Sequence, residues 1–118
     1  IAIFDSTATG ERVSKEYLKE WFAAEYEDIA KQWINTIAGG ELNDVVIEQK
    51  TNLMRDMIAG WASPKYSPNI PSLKAQIRFM NHCVENNASD MRMTGFLNKA
   101  TTMLEKKENE LNTDALGF

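Results

Sequence analysis

Between Ser14 and Gly40 the apolar side chains recur at helical spacing. Leu18, Phe22, Tyr26, Ile29, Trp33 and Ile37 fall in one sector about 100° wide on a helical wheel, and Trp21 and Ile34 widen it on either side. Ser14 can accept from an otherwise unpaired amide of the first turn, and Gly39 and Gly40 supply the left-handed geometry that closes a helix. The pattern therefore predicts one long amphipathic helix over 14–40. Burying such a stripe returns about 2 kcal/mol per large side chain, which ordering the backbone at ~1 kcal/mol per residue or more consumes, so the helix needs partners. One charge, Glu25, lies inside the apolar sector between Trp21 and Ile29.

A second helix is predicted from Asp44 to about Trp61, capped by Asn43, with Val46, Leu53, Met54, Met57 and Trp61 on one face and Lys50 in the middle of it. The short connection after Gly39 makes a helical hairpin over 14–62 the economical arrangement. Glu25 and Lys50 are then a candidate buried charge pair of opposite sign. Folding about Gly40 offsets them by ~9 Å along the axis, near the combined reach of the two side chains.

The stretch SPKYSPNIP, residues 63–71, holds all three prolines and breaks the helical pattern, with Tyr66 and Ile70 expected to pin it to the body. Helix three follows over about 72–85, burying Leu73, Ile77, Met80 and Val84 with Phe79 and Cys83 on a shoulder. A fourth helix, capped by Ser89, runs to about Leu111 and buries Met93, Phe96, Leu97, Ala100, Met103, Leu104 and Leu111. The expected fold is all-α: a small bundle of about four helices in one domain, 1–118, made of the hairpin 14–62, the proline loop and the pair 72–111. Extended arms flank it at 1–13 and 112–118. Ile1, Ile3 and Phe4 at one end, and Leu116 and Phe118 at the other, are candidate assembly contacts.

Composition agrees with a single core: 118 residues are 43% hydrophobic and 25% charged. The one cysteine, Cys83, precludes an internal disulfide, and a reducing, cytoplasmic setting is the expectation. No apolar run is long enough to span a membrane, and the start IAIFDSTATG lacks the basic region and apolar core of a secretory signal.

Candidate chemistry is sparse. His82 and Cys83 are alone of their types, so the usual His and Cys metal sites cannot be assembled, and adjacent helix positions point about 100° apart, against a cooperating pair. Glu16, Glu20, Glu27 and Asp28 lie on the solvent side of the first helix, where paired catalytic acids would lack the shielded cleft they need. Gly39-Gly40 closes a helix and does not cradle phosphate. Five of the methionines, Met54, Met57, Met80, Met93 and Met103, fall on inner faces. No catalytic residue, metal or cofactor is expected.

The net charge of −4 conceals an asymmetry. Residues 1–64 carry six basic and eleven acidic side chains, whereas 65–107 carry seven basic and three acidic. Lys74 and Arg78 share the outer face of helix three, and Arg92, Lys99 and Lys106 recur every seven residues along helix four, a stripe compatible with phosphate contacts. A helix-turn-helix reading of 72–111 fits poorly, because the second helix would present Asp90 to phosphate. The expectation is a non-enzymatic protein–protein interaction or assembly module, with a protein partner or a second copy of itself. The alternative is a nucleic-acid-binding protein using the basic faces of the last two helices.

Overall fold

The computed structural model describes residues 4–5 and 12–115, and the side chains of 13–111. Among them are two-residue strands β1 (Phe4–Asp5) and β2 (Arg12–Val13), and helices α1 (Lys15–Glu25), α2 (Glu27–Ile37), α3 (Asp44–Ala59), α4 (Ile70–Glu85) and α5 (Met91–Ala115), with one 3₁₀ turn at Gly60–Ala62. The strands pair antiparallel with Phe4 opposite Val13. The all-α bundle is as expected, but it has five helices and not four.

The extra helix comes from a break in the predicted 14–40 helix. At Tyr26 the backbone opens to φ −127° and ψ −7°, away from helical values. The hydrogen bonds Tyr26 N to Phe22 O (2.8 Å) and Ala30 N to Tyr26 O (2.9 Å) survive, so the chain kinks without unravelling. A tertiary contact accounts for the break: the Tyr26 hydroxyl accepts from the Asp90 amide at 2.9 Å, and its ring meets Trp21 edge-on at 5.0 Å. Beyond the kink the buried face is re-aimed. Ala30 and Ile34 are buried, Trp33 is half-covered, and Ile37 is left 59% exposed.

Capping fixes most boundaries. The Ser14 hydroxyl accepts from Tyr17 N, Asn43 from Val46 N and Asn69 from Ser72 N, the last letting Pro71 sit in the first turn where its missing N–H costs nothing. Gly39, Gly40 and Asn87 take positive φ at helix ends, and Gly40 N and Ala88 N reach back to Asn35 O and Cys83 O. Asp90, not Ser89, caps α5 through Oδ1 to Met93 N at 2.8 Å.

The core gathers Leu18, Trp21, Phe22 and Tyr26 of the first helix against Ile58, Trp61, Leu73, Phe79, Met80, Met93 and Phe96. Aromatic rings contact one another through it: Trp33 lies 5.5 Å from Phe79, Phe79 6.0 Å from Phe22, and Trp61 6.4 Å from Phe96. Helix α3 buries Thr51, Ile58 and Ala59 and leaves the expected core residue Leu53 60% exposed. Val84 and Leu111 are likewise exposed, while Phe79 and Cys83, placed on a shoulder by periodicity, are fully buried. Gly60 belongs at its position because a Cβ there would meet the Tyr66 ring at 2.7 Å.

Candidate functional site

Among the grooves that the described residues form, two differ sharply in character. The first is apolar, about 470 Å³, and is walled by Ile34, Ile37, Leu53, Met54 and Met57 of α2 and α3, with Ala75 of α4 beside them and Lys50 on its lining. It exists because of the re-aimed faces just described. Ile37 and Leu53, which periodicity assigns to the core, stand at its walls instead.

The second groove is basic, about 720 Å³, and lies between α5 and the proline loop. Gly95, Asn98, Lys99, Thr102, Lys106 and Glu110 follow one another along α5 at helical spacing, and Ser67 faces them from the loop. Gly95 leaves its wall without a side chain. Lys107 reaches across, its Nζ donating to Ser67 Oγ at 2.8 Å. Lys99 stands 5.3 Å over the Trp61 ring, and burial holds its ammonium below the ordinary lysine range.

Of the five residues expected to contact nucleic acid, Lys99 and Lys106 are brought together in this groove. Lys74 is ion-paired with Glu108 at 3.9 Å, and Arg78 is exposed elsewhere on α4. Arg92 corrects the stripe: it is only 7% exposed, with its guanidinium 5.1 Å from the Tyr17 ring and 5.6 Å from that of Trp21. Seven-residue spacing placed it on the right edge of α5, but the first turn of that edge is covered by α1. Sequence reasoning passed over Lys107, Ser67, Asn98 and Thr102; three of the four lie within one helical turn of Lys99 or Lys106, and that is the signal that could have found them.

Glu25 and Lys50 do not form the expected buried pair. Both are exposed, Glu25 at the end of α1 and Lys50 at the apolar groove, and no ion pair joins them among the described residues. Glu25 lies at the surface beside Asn87–Asp90, whereas Lys50 lines the groove of α2, α3 and α4, so the two side chains face different surfaces. The arm residues Ile1, Ile3, Leu116 and Phe118 lie outside the described residues, as does the side chain of Phe4.

Two polar clusters, one part-buried at Asp90 and one buried at Gln76, bind the elements that carry the grooves. Asp90 takes the Trp21 Nε1–H on Oδ2 at 2.8 Å, while the side chain of Gln76, buried beneath the proline loop, accepts from Trp61 Nε1 at 2.8 Å and donates to Tyr66 OH (3.1 Å) and Ser72 Oγ (3.0 Å). Cys83 is buried, and desolvation pushes its thiol up to about 12. Among the described residues no three of His, Cys, Asp and Glu converge to hold a metal ion, and no helix is long and apolar enough to cross a membrane. Comparison with protein-family models, with curated proteins and with solved structures finds no match to this chain.

Proposed function

We propose that this chain is a non-enzymatic assembly module whose apolar groove receives the end of α5 from a second copy. The observation that carries the reading is the open groove itself, whose walls hold Ile37 at 59% and Leu53 at 60% exposure.

The same chain offers a fitting occupant. With 25 residues α5 is ~37 Å long, against ~24 Å for the 16 residues of α4. Side-chain ties from α5 to the body occur at Lys107 and Glu108, and beyond them Leu111 is 59% exposed. Leu111, Ala115 and Phe118 continue in sequence at i, i+4 and i+7, the spacing by which an amphipathic helix reads a groove. Glu110 and Asp114 between them complement Lys50 at the groove. The other apolar end of the chain is a poorer occupant, because Phe4–Asp5 is already hydrogen-bonded to its own Arg12–Val13.

Groove and helix end are different surfaces, so the contact is head-to-tail and propagates into a ring or a filament. Light scattering coupled to size-exclusion chromatography tests this. Mass should rise with concentration for the unmodified chain and stay at one protomer for Leu53→Glu; a monomer at every concentration refutes the reading.

A further inference from the structure

We infer that the basic groove between α5 and the proline loop is a binding site for the sugar–phosphate backbone of a single-stranded nucleic acid, a function separate from assembly and argued without it. Three ammonium groups line one concave surface, Lys99, Lys106 and Lys107, with Ser67, Asn98 and Thr102 as neutral hydrogen-bonding groups among them. This is the mixture that phosphate oxygens and sugar hydroxyls take up.

The charges are not neutralised from within. Lys74 has Glu108, but no carboxylate lies within ion-pair distance of Lys99, Lys106 or Lys107 among the described residues. Glu110, which also lines the groove, forms no ion pair among them and marks its far end. Lys99 is held half-buried against Trp61 with its charge partly stripped of water, an arrangement that an incoming anion relieves. Lys107 is fixed by Ser67 and so loses little freedom on binding.

The shape selects a flexible polymer. From Gly95 to Glu110 the groove follows α5 for about 22 Å, longer than a compact phosphate compound fills. A duplex is a stiff rod that touches only the rim of such a channel, whereas a single strand bends into it. Among the described residues no aromatic side chain lines the groove, and Trp61 has Lys99 over one face, so bases are not stacked and binding is indifferent to sequence. The acidic first half of the chain repels the remainder of the polymer, which keeps the affinity modest.

Fluorescence anisotropy with a labelled oligothymidylate, titrated with the full chain over a range of salt, tests the site. Three phosphate contacts give a slope of log K against log salt of about −2, and Lys106→Glu with Lys107→Glu should flatten it to about −0.7 and weaken binding at least about tenfold at low salt. Lys15→Glu with Lys31→Glu changes net charge equally away from the groove and should leave affinity within about twofold. The pair Lys106→Gln with Lys107→Gln, checked for native helicity by circular dichroism, covers the case in which charge reversal unfolds the chain, and it should weaken binding in the same direction. No binding at low salt, equal loss in the two charge-reversed variants, no loss in the folded glutamine pair, or tighter binding of inorganic tripolyphosphate or of duplex overturns the inference.

Discussion

The indole of Trp21 on α1 donates its Nε1–H to Oδ2 of Asp90 at 2.8 Å, joining residues 69 positions apart. Asp90 uses its other oxygen to cap α5 at Met93 N and its own amide to engage the Tyr26 hydroxyl, so one side chain and its backbone tie the kink of the first helix to the start of the last. Asp90→Ala removes a helix cap and strands a part-buried indole N–H, and should cost about 2–4 kcal/mol in urea unfolding. Asp90→Asn keeps an oxygen for one of the two donors and should cost about half as much. A loss below about 1 kcal/mol for the alanine variant would show that the contact matters little.

Gln76 works the same way beneath the proline loop. Replacing it with Leu leaves the buried Trp61 Nε1–H and the half-buried Tyr66 hydroxyl without their partner, and should destabilise by about 2–3 kcal/mol. Because Tyr66 closes the loop over Gly60, the second sign is faster proteolysis at 63–69. Unchanged cleavage there would separate the loop from the network.

Both networks mark where reading the sequence stops. Five caps and turns were legible, Ser14, Gly39, Gly40, Asn43 and the proline stretch, because each depends on residues a few positions away. The kink at Tyr26 was not, since its cause is an amide 64 positions further on. Periodicity gave α4 and α5 most of their apolar faces, missing at Val84 and Leu111, which are exposed, but Gln76 occupies a core position as a polar side chain and is identified only by the indole it meets. The basic groove was half legible: a heptad of Arg92, Lys99 and Lys106 defines an edge, while only packing decides that α1 covers its first turn and the proline loop faces its last.

Alkaline pH should destabilise the fold. Burial raises the Cys83 thiol from 9.0 to about 12, and burial raises the Tyr26 and Tyr66 hydroxyls in the same direction. Each group is protonated in the folded chain at pH values where the unfolded chain already releases its proton, so its contribution is complete below the unfolded value and is lost as pH rises through the folded one. The stability these three groups contribute should be constant up to about pH 9.0 and fall from there toward 12. In step with this, a thiol reagent near neutral pH should label Cys83 only as fast as the chain opens. Rapid labelling of the native protein would contradict its burial.

The head-to-tail contact is tested most directly by mixing two complementary defects. Leu53→Glu blocks the groove and keeps the α5 end, whereas Leu111→Glu with Phe118→Glu blocks the end and keeps the groove. Each should be monomeric alone by light scattering, and an equimolar mixture should form a dimer of one of each and nothing larger, because one intact groove meets one intact end. Self-association of either variant alone, or no dimer in the mixture while the unmodified chain assembles, would contradict the account.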